Sequence, residues 1–274
     1  MAHDVTASGD VPVELIADAG GVLDRFLAGI TELEALPLPR HCIVGGFAVI
    51  VRLARAHRAT ADLDAVLESD AAGASATELV VAARLTRDPR GRLLLPNGTR
   101  LDTIDVGPLD GDALPDDPSD RMFVLAHRYA LRTATPTSVA LVERDGNPRS
   151  GAVTVPIAVP AALVAMKLQS IPRRRGASEA KKASDVYDIV RLLEAHDGTG
   201  TLSRDLLAAA PPELVDFCAE AAMTRLVTEA ERTVRWMRVW GVTDDMERRT
   251  PEELRTLGRH FVSRLAFTPG SGSR

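Results

Sequence analysis

The segment Val44-Gly45-Gly46 and, shortly after it, Thr60-Ala61-Asp62-Leu63-Asp64 decide the predicted fold. The Gly-Gly turn is predicted to lead into a short helix over residues 47–56, followed by a strand that carries both aspartates. Side chains two positions apart on a strand point to the same face, so the two carboxylates are expected to lie together. They repel each other unless a cation lies between them, and an all-oxygen pair suits Mg²⁺.

The two glycines predict a phosphate site beside that metal. Gly45 and Gly46 allow the backbone to approach a phosphate closely, and the start of the helix presents free N–H groups to it. Metal and phosphate in one place predict binding of a nucleoside triphosphate (NTP).

The composition indicates an ordinary soluble globular protein that is reduced and cytoplasmic. The chain has 274 residues, a formal net charge of −5 and only two cysteines, Cys42 and Cys218. This cysteine content does not support a disulfide framework. The apolar stretch 151–172 is interrupted by Pro156, Pro160 and Lys167, so no membrane span is expected, and the first residues do not have the pattern of a signal peptide.

The order of sequence patterns predicts an α+β fold, a mixed sheet flanked by helices and followed by a mainly helical C-terminal half. Apolar spacing predicts one or two helices over 13–36 and another over 74–85, and Asn97-Gly98 predicts a hairpin. The predicted units are an α/β domain over 1–159, a helical domain over 160–267 that closes the cleft, and a disordered tail over 268–274. The cleft between the two halves is the expected ligand site.

Charge is distributed unevenly, with an acidic excess before residue 160 and a small basic excess after it. The densest basic patch runs from Lys167 to Lys182. An acidic, metal-holding half that faces a basic half suits a polyanion such as a nucleotide or RNA. The alternative is a solvated basic loop.

Two sets of motifs resemble a known family. Val44-Gly45-Gly46 with Arg58-x-Thr60-x-Asp62-Leu63-Asp64 resembles the polymerase-beta-type nucleotidyltransferase fold, and most closely the bacterial AbiEii-like and MenT-like nucleotidyltransferase toxins. Lys167 on an apolar helix, followed by Lys182-Ala183-Ser184-Asp185-Val186-Tyr187-Asp188-Ile189, resembles the distal Lys and Asp-x-x-Asp motifs of that branch.

The resemblance implies a metal site made of carboxylates. Asp62 and Asp64 would hold Mg²⁺ and align the triphosphate for in-line attack by an acceptor hydroxyl. A third carboxylate completes the site in this fold, and Asp102 and Asp105 are the candidates. They lie three apart, so only one can join the site, with Asp102 slightly favoured. The alternative for Asp62 and Asp64 is a pair of exposed acids on an edge strand.

Three further residues are predicted to bind the nucleotide. Thr60 would contact a phosphate, or alternatively serve as a β-branched residue at the start of a strand. Arg58 would neutralise phosphate charge, or be solvated. Lys167 is the only charge between Arg149 and Arg173, and burial of an unpaired ammonium is costly. A phosphate-facing role, also counted as catalytic, is therefore favoured over a lysine that extends to solvent.

Asp185 and Asp188 share one helix face. Asp185 is predicted to activate the acceptor hydroxyl as a general base, with Asp188 as a possible additional site residue. The alternative is a surface ion-pair pattern, because Lys181 and Arg191 lie at helical spacing from them. None of the six histidines has metal-ligand spacing.

The function implied by the resemblance is Mg²⁺-dependent transfer of NMP from NTP to an RNA. The toxin members imply the tRNA 3′ end as acceptor and a cognate antitoxin as partner. The alternatives are a nucleotidyltransferase for a small molecule, such as an antibiotic, and a catalytically silent nucleotide-binding module. A net-acidic cleft would favour a cationic drug, and a basic rim would favour RNA.

Overall fold

The protein is described by a computed structural model. It describes residues 11–18, 20–56, 58, 60–69, 78, 85–109, 114–174, 179–240, 245 and 248–266. The predicted tail over 268–274 lies outside the described residues, as does nearly all of the predicted helix over 74–85.

The described residues form one mixed sheet of eight strands in the order β1-β7-β8-β2-β3-β6-β5-β4. The strands are β1 (Val13–Ile16), β2 (His41–Val44), β3 (Leu63–Glu68), β4 (Thr86–Arg87), β5 (Leu93–Leu94), β6 (Arg100–Val106), β7 (Thr135–Val142) and β8 (Val153–Ile157). Parallel and antiparallel neighbours alternate across its centre, because β8 and β2 run parallel, β2 and β3 antiparallel, and β3 and β6 parallel.

Helices surround the sheet and make up the described chain from residue 160 onward, apart from turns. They are α1 (Val22–Glu34), α2 (Gly45–Arg52), α3 (Pro118–Thr133), α4 (Pro160–Arg173), α5 (Glu179–His196), α6 (Thr201–Ala209), α7 (Pro212–Ala222), a π-helical turn (Met223–Thr228), α8 (Ala230–Trp240) and α9 (Pro251–Ala266). This confirms the predicted mixed sheet flanked by helices and the helical C-terminal half.

The two halves share one core. A continuous cluster of buried apolar side chains contains residues from Leu15 to Leu265. Helix α4 packs against α3 of the first half and α5 of the second. The start of the helical half therefore belongs to the same packed body as the sheet.

The predicted helix over 13–36 is wrong at its beginning, where the chain forms strand β1. β1 pairs in parallel with β7 and buries Leu15, while Ile16 faces outward. Two adjacent apolar residues fit either periodicity, and only pairing with a strand far along the chain selects the strand. Helix α1 begins at Val22, where the Asp18 carboxylate accepts hydrogen bonds from the N–H groups of Val22 and Leu23, at 3.1 and 2.8 Å.

The unit β2–α2–β3 positions the glycines and aspartates. β2 lies between β8 and β3, which explains its apolar run, and Val44 at its end pairs with Asp64 of β3. Helix α2 begins two residues earlier than predicted, at Gly45 itself. Asp62 lies one residue before β3, so the expectation that both aspartates belong to the strand holds only for Asp64.

The predicted hairpin at Asn97-Gly98 is confirmed. β5 and β6 pair antiparallel, and Gly98 adopts a φ of 81° in the turn between them. The hairpin presents β6 as the parallel neighbour of β3, which places Asp102 directly opposite Asp64 in the register.

Candidate functional site

A cavity of about 1010 Å³ opens where the ends of β2, β3 and β6 meet helices α3, α4 and α5. The described residues that line it include seven Arg or Lys and four Asp. The cations are Arg58, Arg87, Arg92, Lys167, Arg173, Arg174 and Lys181, and the carboxylates are Asp62, Asp64, Asp102 and Asp185. Five of these cations are paired with carboxylates, and among the described residues only Arg87 and Lys181 line the cavity without an ion pair.

Only glycine fits at positions 45 and 46, because side chains of the protein pack directly against the backbone there. Gly45 has a φ of 68°, and a Cβ there would lie 2.8 Å from the Asp64 Cβ. A Cβ on Gly46 would lie 2.7 Å from the Thr60 Oγ1 and 2.9 Å from an Arg58 guanidinium nitrogen. The glycines thus let the backbone N–H groups at the start of α2 and the Asp64 carboxylate share one small space.

Asp64 is the most strongly perturbed carboxylate of this wall. Burial raises its pKa to about 6, and the negative charges of Asp102 and Asp62 add to the rise, while Lys181 and Lys167 oppose it. Burial and then the charge of Asp62 also raise the pKa of Asp102. Because neighbouring negative charge raises the pKa of Asp64 and of Asp102, a cation bound beside them would be stabilising.

Asp62 has an incompletely satisfied carboxylate. Its Oδ1 is buried and accepts no hydrogen bond from the described part of the chain, and its ion-pair partner, the Arg100 Nη1, is 3.7 Å away. Within the described ranges no three His, Cys, Asp or Glu side chains already converge on a metal position. Mg²⁺ typically takes one or two carboxylates and completes its shell with water and substrate phosphates, so these acids fit that ion.

The structure brings Asp102, and not Asp105, to this wall. Asp102 lines the cavity and lies opposite Asp64, whereas Asp105 pairs in register with Leu67, further along β3. β3 lies between β2 and β6, so the alternative of two exposed acids on an edge strand does not apply.

The opposite wall carries a buried network of charged side chains from α4 and α5. Asp188 accepts hydrogen bonds from Arg58 Nε and Nη2, at 2.8 and 2.6 Å, and its Oδ2 lies 2.7 Å from the Lys167 Nζ. Asp185 accepts from Lys167 at 3.1 Å. Both carboxylates are buried, and Asp188 is 0% exposed. The surface ion-pair pattern with Lys181 and Arg191 is therefore not what these residues form.

The network explains how Lys167 is buried without an unpaired charge. Burial alone would lower its pKa, but the adjacent Asp188 and Asp185 carboxylates outweigh burial and raise the pKa above its ordinary value. Arg58 is not solvated, since its guanidinium is committed to Asp188. Thr60 precedes β3 by three residues and lines the cavity.

Sequence reasoning missed two members of the network. Arg174 Nε donates to Asp185 Oδ2 at 2.7 Å, and Ser170 Oγ donates to the same oxygen at 3.0 Å. Arg174 belongs to the basic patch seen in the sequence, but no spacing rule pairs it with Asp185. With Lys167 included, Asp185 accepts hydrogen bonds from three side chains.

The remaining reactive residue types offer no second centre in the described chain. Cys42 and Cys218 are free and buried. His127 lines the cavity, but burial lowers its pKa to about 4, so it is neutral at physiological pH. No described helix is both long and apolar enough to cross a bilayer.

Comparison with solved structures gives distant structural likenesses. The structure is similar to the crystal structure of an antigenic nucleotidyltransferase-like protein from Paracoccidioides brasiliensis, with 20% sequence identity and a TM-score of 0.36. The match covers 71% of this chain and 91% of that chain. No protein-family model matches the sequence, and no curated protein matches it. A likeness at this level assigns no activity, so the function depends on the geometry of the site.

Proposed function

We propose that the protein is a Mg²⁺-dependent nucleotidyltransferase that transfers NMP from NTP to an acceptor hydroxyl and releases pyrophosphate. One observation carries the proposal. The Asp64 carboxylate lies against the Gly45-Gly46 start of α2, beside its register partner Asp102, in a cavity with more cations than carboxylates.

Different groups of the cavity would bind the metal ion and the phosphates. Asp64 and Asp62 would hold Mg²⁺, with Asp102 as the third carboxylate, and the ion would neutralise the triphosphate and help to orient it. Gly45 and Gly46 open helix α2, which has no side-chain cap, so their N–H groups would bind phosphate oxygens at the helix start. Of the cations on the walls, Lys181 is the one whose charge most lowers the pKa of Asp64, so it is close enough to compensate phosphate charge there.

We assign Lys167 and Asp188 to the support of the nucleotide site. Asp188 fixes Arg58, which contacts the space beside Gly46, and Lys167 links Asp188 to Asp185. The role of Asp185 as general base stays a prediction. Three side chains already donate hydrogen bonds to its oxygens. Lys167 and Arg174, two of these donors, would therefore hold the Asp185 carboxylate in position.

The acceptor is proposed to be RNA. Lys181 lines the cavity and forms no ion pair within the described ranges, which favours a phosphate-bearing acceptor over a cationic small molecule. The narrower proposals, namely the tRNA 3′ end, action as a toxin and neutralisation by an antitoxin, depend on the resemblance of the sequence motifs to the toxin branch.

The test is transfer of label from each α-³²P-NTP to total tRNA in the presence of Mg²⁺, resolved on a denaturing gel. The wild type is compared with Asp64→Asn, and with Glu143→Gln as a matched control, because Glu143 lies in a surface ion pair with Arg149 away from the cavity. We expect label with the wild type and the control, and about a 1000-fold lower rate with Asp64→Asn.

Other outcomes identify the alternatives. Label on a small hydroxyl compound but not on RNA would replace the RNA proposal with the small-molecule enzyme. Binding of Mg²⁺–NTP without transfer to any acceptor would indicate a silent nucleotide-binding module and would contradict nucleotidyl transfer.

A further inference from the structure

Trp240 is an exposed aromatic residue at the mouth of the cavity. The chain has two tryptophans, and both lie on α8. Trp236 is 7% exposed, whereas Trp240 at the end of the helix is 44% exposed and lines the cavity. A large aromatic face left in water beside a polar site is available for stacking with a planar ligand.

Two cations lie against the ring of Trp236, one helical turn before Trp240. The Lys182 Nζ lies 5.6 Å from the centre of the Trp236 ring, and the Arg232 Cζ lies 5.0 Å from it. Lys181, the neighbour of Lys182, lines the cavity. These three cations, here called the basic strip, connect the outer surface of α8 with the carboxylate wall.

The basic strip retains charge for a ligand. Lys181 and Lys182 form no ion pair with any residue in the described ranges, and Arg232 contacts Glu229 only at 3.5 Å. Glu231, the residue before Arg232, is paired with Arg255 on α9. The strip is therefore a run of positive charge that leads to an aromatic face.

We propose that the basic strip and Trp240 bind the single-stranded end of a nucleic-acid acceptor. Trp240 stacks on a base near the reactive end, and Lys182 and Arg232 hold the phosphates that precede it. This combination of a cationic track with an exposed aromatic residue is how proteins bind single strands with little sequence preference. The proposal rests on the proposed function, because it adds the surface that receives the acceptor.

The length of the basic strip indicates that it binds the acceptor strand and not the NTP. All phosphates of an NTP lie together, and the α2 start with Asp64 accounts for them. A strand has one phosphate per nucleotide, so it requires cations distributed along a surface. Lys182 and Arg232 do not line the cavity, so they lie beyond the phosphates of an NTP bound at Asp64.

The test is binding of a fluorescently labelled, short single-stranded oligoribonucleotide, measured by anisotropy without NTP. A 3′-phosphate on the oligoribonucleotide prevents its extension, so the result does not depend on catalysis. We expect Trp240→Ala to weaken binding about tenfold, and Trp240→Phe to retain most of the affinity. Val239→Ala is the matched control, because Val239 is 65% exposed on the same helix and does not line the cavity, and its affinity should equal that of the wild type.

The charge of the basic strip is tested by salt dependence. Lys182→Gln should reduce the slope of log affinity against log salt by about 0.7, the value for one phosphate contact on a single strand. An unchanged slope with Lys182→Gln, or wild-type affinity with Trp240→Ala, would overturn the proposal. The same holds if the wild type does not bind the oligoribonucleotide.

Tryptophan fluorescence distinguishes acceptor from NTP. In the variant Trp236→Phe, Trp240 is the only tryptophan, so the tryptophan emission reports on it alone. Circular dichroism checks that this variant is folded. We expect the oligoribonucleotide to quench this emission more strongly than any NTP with Mg²⁺. Quenching by NTP alone would assign Trp240 to the NTP base and overturn the proposal. Because no readout requires transfer, the surface can be supported even if the proposed nucleotidyl transfer fails.

Discussion

The cavity has two walls with carboxylates, and they differ in how far the protein itself satisfies them. On the strand wall, Asp62 and Asp64 lie close to each other's charge and the buried Asp62 Oδ1 has no donor in the described chain. On the helix wall, Asp185 and Asp188 accept from Lys167, Arg58 and other donors. The difference indicates that the helix wall supports the fold, whereas the strand wall is the one that we propose binds the cation and the triphosphate.

The largest expected effect is loss of stability when the helix wall is broken. Asp188→Asn leaves Arg58 and Lys167 buried with only partial compensation, so the free energy of unfolding should fall by about 3–5 kcal/mol. Urea unfolding measures this change. Glu143→Gln removes one partner of an exposed pair and should cost less than about 1 kcal/mol. A similar small loss for both variants would show that the buried network is not structural.

The next expected effect separates two aspartates of strand β6. Asp102→Asn should slow nucleotide transfer about 100-fold, because it removes a carboxylate next to the metal position, and Asp105→Asn should leave the rate within about twofold of the wild type. Initial rates at saturating NTP measure both. Equal loss in the two variants would contradict the assignment of Asp102 to the strand wall.

Much of the strand wall was predictable from sequence, because its chemistry is encoded over short distances. Gly45, Gly46 and Asp64 carry a pattern that specifies turn, helix and strand, and Asn97-Gly98 specifies the hairpin that brings Asp102 to the same place. Asp62 was expected on the strand, but it lies just before it, because β3 begins only at Leu63. Strand ends depend on pairing and are difficult to locate from one sequence.

The helix wall was harder to predict, because its partners are distant in sequence. Helical spacing offered Lys181 and Arg191 as neighbours of the two aspartates, while the structure uses Lys167 and Arg58, the latter 130 residues from Asp188. β1 was missed for the same reason, since its pairing with β7 is tertiary. Local periodicity contains no information about such contacts.

A smaller effect tests the close approach of Gly45 to the strand wall. Gly45→Ala must place a Cβ at positive φ and against Asp64, so it should lower the free energy of unfolding by about 2–3 kcal/mol. Gly98→Ala is the matched control, because Gly98 also has positive φ, but a Cβ there would have open space. Its expected cost is about 1 kcal/mol, the backbone penalty alone. Equal costs in urea unfolding would show that Gly45 and Asp64 are not in contact.

The smallest expected effect is the pH dependence of stability without metal. The Asp64 pKa is raised to about 6 in the folded protein from an ordinary value of 3.8. Between these values the folded state retains a proton that the unfolded state has lost, so stability falls as pH rises from about 4 to 6. Relative to Asp64→Asn, the wild type should lose about 2 kcal/mol over this range, as measured by urea unfolding in EDTA. No difference in slope would contradict the raised pKa of Asp64 and the closeness of the other two carboxylates to it.

The most direct test of the contrast between the walls is the stability of Asp64→Asn with and without ligand. Thermal unfolding is recorded in EDTA, and again with Mg²⁺ and a non-hydrolysable NTP analogue. If the strand wall binds a cation and a triphosphate, Asp64→Asn is at least as stable as the wild type in EDTA. The ligands raise the Tm of the wild type but do not stabilise Asp64→Asn. An Asp64→Asn variant that is less stable in EDTA, yet gains the full stabilisation from Mg²⁺ and the analogue, would contradict the account.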